Sequence, residues 1–368
     1  MSIRSFLLLL TAASAFGQQH AKNVIIFLGD AGGIPTLNAA SIHGYKEPRA
    51  LYIQRMPHIG LSETSSTDSW VTDSAAGMTA IVTGRKTANG VLSEAPAEPG
   101  KEDGAVLKTI LEYAEEHGLS TGVVSNMNMA DATPAACYSH VNSRKKFGEI
   151  FAQIWHPRFG DGVDVVFGNG RKKLLESTKE VGIDLEKELL ASGRSFTNAL
   201  SLIPAGTHRV VSLEDDDNFD VDAATAKAIE ILSKNPKGFF LMVEWDLHPS
   251  KPEKCLDTAV KLDKLVQKTA QHASKDTLVM FTADHSFDFR VLSGKKGQDL
   301  RLPLGVNVGK DPKYPEDKPA VAVGTSHTGE EVVVAAQGPG SEKIAGFLSN
   351  TDLFRVMMSA YGWSADRH

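Results

Sequence analysis

Cysteine is almost missing from this chain. Cys137 and Cys255 are the two present, enough for one disulfide at most, and two buried thiols explain them equally well. Long apolar runs are missing too. Past the N-terminus no stretch is long and apolar enough to span a bilayer, and the polar end from Gly362 to His368 does not read as a removable anchor signal. Positive charge is not in excess: the formal net charge is −6, which argues against general nucleic-acid binding. No linker rich in Pro, Gly and Ser divides the chain and no internal repeat is visible, so one domain is the simpler reading. With 42% hydrophobic and 23% charged residues the composition is that of an ordinary globular protein, which excludes disorder, collagen and a coiled coil.

What is present begins with a leader. Arg4 precedes an apolar run from Phe6 to Ala15, and Ala15-Phe16-Gly17 offers small residues where a signal peptidase cuts. The expected organisation is a signal peptide over residues 1–17 and a single catalytic domain over 18–368. Loss of Arg4 moves the net charge from −6 to −7. The mature protein is expected to be soluble and periplasmic or secreted.

Short apolar runs rich in β-branched and aromatic residues then recur. They are Asn23 to Leu28, Thr121 to Val124, Val163 to Phe167, Phe239 to Val243, Leu278 to Phe281 and Val332 to Ala335. They are too short for helices and read as strands of a buried parallel sheet. Helical patterns lie between them, at Val106 to His117, Ala223 to Lys234 and Leu256 to His272. This alternation predicts an α/β fold, a three-layer α/β/α sandwich around a mostly parallel, doubly wound sheet. Loop-like insertions are expected at Ala95 to Gly104 and Gly309 to Lys318. The acidic run Glu214 to Asp222 lacks the glycine and terminal glutamate of an EF-hand loop, and reads as a solvated helix start.

Three of the predicted strands run into acidic residues: Asp30 after the first, Glu244 and Asp246 after the fourth, Asp284 after the fifth. Ligands in open α/β sheets bind at that edge. Alone, an aspartate after a strand is usually a helix cap. Together with His248 and His285, these acids place oxygen and imidazole ligands on one rim, a mixture suited to zinc and magnesium. In VTDSAAGMTA, Ser74 precedes small helix-compatible residues, so it lies at a helix N-terminus, where an anion is favoured. An N-capping serine is the plain alternative. A serine nucleophile needs activation, and no Gly-x-Ser-x-Gly elbow is present, so metal is the more natural activator. After Asp131-Ala132-Thr133-Pro134, a predicted helical turn carries His140 and Arg144, whose planar fork suits two phosphoryl oxygens.

With these elements identified, the sequence resembles the alkaline phosphatase family over most of the mature chain. The matching blocks, in family order, are NVIIFLGD (23–30), VTDSAA (71–76) with TGRKTANG (83–90), DATPAACYSHVNSR (131–144), VDVVFGNGR (163–171), NPKGFFLMVE (235–244), TADH (282–285) and HTGE (327–330). The resemblance implies hydrolysis of small phosphate monoesters through a phosphoserine on Ser74. Arg144 would clamp the phosphoryl oxygens, with Asp73 holding its guanidinium. Two zinc ions and one magnesium are implied. Asp30, Asp284 and His285 would bind the first zinc, and Asp246, His248 and His327 the second. Thr133 and Glu244 would complete the magnesium site, with Asp30 bridging towards it and Asp131 reaching it through water. His140 and Cys137 are assigned to packing or hydrogen bonding. A homodimer is left open, because the chain is shorter than many members and the insertions that build their interfaces are candidates for what is missing.

The chain departs from the family pattern in places. The loop between the magnesium glutamate and the zinc aspartate and histidine is compressed to Glu244-Trp245-Asp246-Leu247-His248. Alternation in an extended segment puts Glu244, Asp246 and His248 on one side, and leaves Glu244 and Asp246 as alternative acids beside His248. Leu247 stands where many relatives carry a Lys, His or Trp contacting phosphate. Asp30-Ala31-Gly32-Gly33 replaces the common Asp-Gly-Met-Gly. Two rivals remain: a phosphodiesterase of the same superfamily, disfavoured because Ser74 and Arg144 occur together, and a metal- or phosphate-binding protein without turnover. Neither cysteine has the setting a sulfatase requires.

Overall fold

The computed structural model describes residues 20–96, 98–249, 252–292, 296, 300 and 321–364, so the expected leader at 1–17 and the expected loop at 309–318 lie outside the described residues. The strands are β1 (Asn23–Asp30), β2 (His58–Ser62), β3 (Ser120–Asn128), β4 (Val165–Asn169), β5 (Ser195–Thr197), β6 (Val210–Glu214), β7 (Phe239–Asp246), β8 (Thr277–Thr282), β9 (Ser286–Val291), β10 (Val321–Thr328), β11 (Val332–Gln337) and β12 (Gly346–Leu348). The helices are α1 (Ile34–Tyr45), α2 (Ser74–Thr83), α3 (Ile110–Glu116), α4 (Ala132–Ala136), α5 (Phe147–Ala152), α6 (Arg171–Glu180), α7 (Leu185–Ala191), α8 (Val221–Leu232), α9 (Pro252–His272) and α10 (Asp352–Tyr361).

One ten-stranded sheet runs β12-β2-β11-β8-β1-β7-β3-β4-β6-β5, and β9 with β10 forms a separate antiparallel ribbon. From β8 across to β5 all neighbours are parallel. Alternation along the central strands divides the core between the two faces. Val24, Ile26, Leu28, Phe240 and Met242 face one way, against α2, α3, α4, α5 and α10. Ile25, Phe27, Leu241 and Val243 face the other, against α1, α8 and α9. Strands buried on both faces explain why these segments read as continuous apolar runs. The fold is the expected three-layer α/β/α sandwich.

One strand corrects the sequence reading. Val332 to Ala335 lies in β11, which is antiparallel to both β8 and β2. The cause is topological. After β8 the chain forms the β9–β10 ribbon, which begins at the carboxyl edge of the sheet, so β11 enters from that edge and runs back down. Helix limits also move. α3 starts at Ile110 rather than Val106 because Thr109 and Glu112 close a capping box there. Within the acidic run, Asp220 caps α8 by accepting from Ala223 N.

Candidate active site at the carboxyl edge

Strand register brings the acids together. β1 and β7 pair so that Leu28 lies opposite Glu244 and Asp30 opposite Asp246. On the other side of β1, Leu28 pairs with Thr282 of β8, two residues before Asp284. Three strands that end level therefore converge their carboxylates at one point. Ala31, next to Asp30, is held at φ 62, in the left-handed region, where the common family pattern carries glycine. The close approach of α1 comes from Gly33: a Cβ there would lie 2.0 Å from Ser286 Oγ.

α2 aims Ser74 into this cluster. Asp73 is the N-cap and accepts from Ala76 N at 3.0 Å, so the Ser74 hydroxyl is not spent on capping. Ser74 Oγ instead lies 3.4 Å from Asp30 Oδ2 and 3.3 Å from His285 Nε2. The plain alternative of a capping serine is thereby set aside. Gly77 lets the helix sit close, since a Cβ there would meet the Asp284 carbonyl oxygen at 3.0 Å.

The histidines present their lone pairs inward. His285 is fully buried; its Nδ1 donates to the Ser286 carbonyl, leaving Nε2 facing Asp30 Oδ1 at 3.4 Å and Asp284 Oδ2 at 3.3 Å. His327 Nδ1 donates to the Thr72 carbonyl at 3.1 Å, which frees its Nε2 in the same way. The His285 and His327 rings stack at 3.7 Å, and His248 Nε2 lies 3.2 Å from His327 Nε2. The compressed segment is a local turn. Asp246 Oδ1 accepts both the backbone N of His248 at 3.0 Å and its Nδ1 at 2.7 Å, swinging the imidazole back over the sheet edge. Leu247 points the other way, fully buried in the core against α9, so no side chain there reaches the site.

Electrostatics disfavour full negative charge on this cluster. Burial, then Asp284, Glu244, Asp246 and Asp131, push the Asp30 carboxyl well above the carboxylate range. Burial pushes Glu244 to about 8, although the Ser125 hydroxyl donates to it. Burial also lowers His285 to about 4, against the pull of Asp284. Asp30 Oδ1 and Asp284 Oδ2 are buried without a hydrogen-bond partner among the described residues. Asp30, Asp284 and His285 offer ligand atoms within 4.8 Å of one another, as do Asp30, Asp246 and His248, and also His248, His285 and His327. Orphaned oxygens beside the neutral His285 imidazole are what divalent cations satisfy, so the donor set fits metal.

The arginine stands at the rim. Arg144 donates through one terminal nitrogen to Asp73 Oδ2 at 3.0 Å and through the other to Asp131 Oδ1 at 2.8 Å. Burial opposes its charge, but Asp131 and Asp73 raise its pKa above even the ordinary value. Asp131 also caps α4, which carries Thr133 below Glu244. The structure thus gathers every residue singled out in the sequence: Asp30, Asp73, Ser74, Asp131, Thr133, Arg144, Glu244, Asp246, His248, Asp284, His285 and His327. Sequence reasoning did not find the supporting shell. Ser125 bonds Glu244, Asn126 accepts from Asp246 N and Asn89 accepts from Asp73 N. Nor did it find the Asp131–Arg144 pair. These are contacts between distant segments and have no local signal. Cys137 and Cys255 are free buried thiols, and burial raises both pKa values, Cys255 to about 12.

A sequence profile of the alkaline phosphatase family matches residues 21–307. The alkaline phosphatase of Escherichia coli is 31% identical over 95% of this chain and 88% of its own length, and that of Escherichia fergusonii 30% identical over the same shares. Among solved structures, the alkaline phosphatase of the Antarctic bacterium TAB5 superposes with a TM-score of 0.76 at 23% identity, covering 95% of this chain and 100% of that one. The Thermus thermophilus alkaline phosphatase gives 0.74 at 20% identity, covering 98% and 96%. At those identities the likeness shows the fold. A TAB5 variant was solved with magnesium bound. Among the described residues no helix is long and apolar enough to cross a membrane. By a profile match over most of its length and by identity with full-length relatives, this chain belongs to the alkaline phosphatase family, enzymes that act on phosphate monoesters.

Proposed function

We propose that this chain is an exported phosphomonoesterase in which Ser74 is the nucleophile, working with two zinc ions and one magnesium ion. The observation that carries this reading is the position of Ser74 Oγ. It is free at the start of a buried helix, 3.3–3.4 Å from His285 and Asp30, next in sequence to the aspartate that holds Arg144.

Asp30, Asp284 and His285 would hold one zinc, and Asp246, His248 and His327 the other. Glu244 and Thr133, which lie side by side, would hold magnesium with Asp30 shared and Asp131 reaching it through water. The 2.7 Å bond between His248 and Asp246 favours Asp246 over Glu244 as the acid of the second zinc site. Magnesium in the TAB5 variant supports the magnesium assignment. Cations bound there supply Lewis acidity that lowers the Ser74 hydroxyl pKa and neutralises charge on the leaving-group oxygen. Ser74 Oγ forms a bond to phosphorus in line with the ester oxygen, which departs; water then cleaves the phosphoserine. The α2 N-terminus favours the negative phosphoryl group, and the Arg144 fork orients two of its oxygens. Residues 18–368 act as one domain, released to the periplasm or medium when the 1–17 leader is cut.

The test is p-nitrophenyl phosphate hydrolysis by the mature protein from pH 7 to 10, with chelator, with zinc and magnesium restored, and with Ser74→Ala. Turnover that needs metal and Ser74, and exceeds that on bis(p-nitrophenyl) phosphate, is expected. Preference for the diester would make the chain a phosphodiesterase. Phosphate binding without turnover in metal-replete protein would make it a binding protein. Metal analysis finding two zinc and one magnesium per chain, and N-terminal sequencing of exported protein starting at residue 18, check the remaining parts.

A further inference from the structure

We propose that His140 and Glu112 form a buried couple that positions Arg144 relative to the nucleophile helix, and that this positioning weakens at alkaline pH when the couple loses its shared proton. It rests on the reading of Arg144 as the phosphate clamp.

Arg144 comes from residues 137–146, a stretch without helix or strand between α4 and α5. Something other than regular structure must hold it. Its backbone is tied by the Leu92–Val141 bridge, by Arg144 N donating to Gly90 O at 2.8 Å, and by Gln153, whose amide bonds both backbone groups of His140. The buried histidine of the stretch is His140. Its Nδ1 lies 2.7 Å from the Ser93 carbonyl and its Nε2 lies 2.7 Å from Glu112 Oε1, with side-chain exposures of 0% and 2%.

Chemistry fixes the protons. A carbonyl oxygen only accepts, so Nδ1 carries a hydrogen. The other Glu112 oxygen accepts from Thr109 N at 2.9 Å, so one further proton lies between Nε2 and Oε1. Removing it leaves a buried carboxylate against an imidazole lone pair, a repulsive contact in place of the bond.

The couple reaches both halves of the site. Thr109, the cap of the same capping box, donates to Cys137 O at 2.6 Å. Ser93, strained at φ 42, donates through Oγ to Ala136 O at 2.6 Å and through N to Thr79 Oγ1 at 2.9 Å, and Thr79 belongs to α2. His140 therefore joins the Arg144 stretch through Ser93 to the helix that begins with Ser74. Burial lowers the His140 pKa, but the bond to Glu112, the charge of Glu112, the Ser93 carbonyl and Glu94 together raise it above the ordinary value. The charged groups around it are Glu112 from α3 and Glu94, the latter in turn beside Asp103 and Lys146. A histidine pKa raised by folding stabilises the fold at low pH, and that contribution is lost as pH rises through the raised value.

The experiment measures the dissociation constant of inorganic phosphate in the metal-replete protein by calorimetry at pH 7 and at intervals to pH 10. It compares the wild type, Glu112→Gln, Gln153→Ala, Arg144→Ala and each double variant with Arg144→Ala. At pH 7, Glu112→Gln is expected to weaken phosphate about five-fold, the effect of misplacing one charge-assisted contact. That ratio should shrink towards one at high pH, where the wild-type couple has itself lost its proton. In the Arg144→Ala background neither variant should weaken phosphate further. Gln153→Ala, which leaves the couple intact, should weaken phosphate by a ratio that does not change with pH, and it remains informative if Glu112→Gln does not fold. A ratio for Glu112→Gln that is independent of pH, or equal losses with and without Arg144, would overturn the assignment and leave the couple a general scaffold contact. Phosphate binding is read without turnover, so failure of the phosphatase reading shows separately in the hydrolysis assay.

Discussion

Asp73 does two jobs that a pair of substitutions can separate. Its Oδ1 caps α2 through Ala76 N, and its Oδ2 holds the Arg144 guanidinium at 3.0 Å. Asparagine caps a helix about as well as aspartate, so Asp73→Asn should leave stability nearly unchanged; Asp73→Ala should cost about 1 kcal/mol of it. The Arg144 contact responds differently. A charge-assisted bond is worth about 1.5–3 kcal/mol, and the lower end applies because Asp131 keeps the second fork and the pair is partly exposed. Asp73→Ala should therefore raise the phosphate dissociation constant and lower kcat/KM by about ten-fold. Asp73→Asn, whose single oxygen is used by the cap, turns its amide NH2 towards the Arg144 guanidinium and should change both at least as much. Because phosphate then leaves faster, kcat should fall less than kcat/KM in both variants. The assay is steady-state hydrolysis of p-nitrophenyl phosphate with phosphate inhibition, beside thermal melts. Phosphate affinity left unchanged by Asp73→Asn would refute the division of roles, as would a melting temperature that falls for Asp73→Asn.

Chelation should lower the melting temperature by several degrees, because the orphaned oxygens of Asp30 and Asp284 and their neighbouring carboxylates are left facing one another; zinc with magnesium should restore it, and an unchanged melt would mean that no cation bound there. Gly33→Ala would drive a methyl into Ser286, beside His285, and should destabilise by about 1–3 kcal/mol while lowering kcat/KM, read from melts and kinetics. Glu115 accepts from Gly162 N and Thr121 Oγ1, and burial pushes it from its ordinary value of 4.5 to about 8. A carboxyl raised in this way favours the fold at low pH and loses that contribution as pH rises towards 8, so urea melts of Glu115→Gln should depend less on pH than the wild type between about 4.5 and 8.

Much of the site was legible because each part obeys a local rule. Strands buried on both faces read as apolar runs, and Asp30, Glu244, Asp246 and Asp284 follow at their carboxyl ends. What stayed hidden depends on segments far apart in the chain. β2, β5, β6, β12 and the β9–β10 ribbon were not recognised. β2 and β12 lie on one flank of the sheet, β5 at the other edge and β6 beside it, where burial on both faces no longer marks every strand. The reversal of β11 follows from the path through β9 and β10, not from the composition of Val332 to Ala335.

From the chain alone came the kind of chemistry: a serine ahead of a helix, acids and histidines after strands, and an arginine downstream, all carried by patterns within a few residues. Tertiary structure decided how those groups are used. Register between β1 and β7 sets Asp30 beside Asp246, and the Asp246 turn brings His248 back while burying Leu247. Capping by Asp73 leaves Ser74 free, and the Glu112–His140 couple anchors the stretch that carries Arg144. The physical reason is the same throughout. Residue type and local spacing determine what a group can do, whereas burial and the neighbours that remove its other options determine what it does.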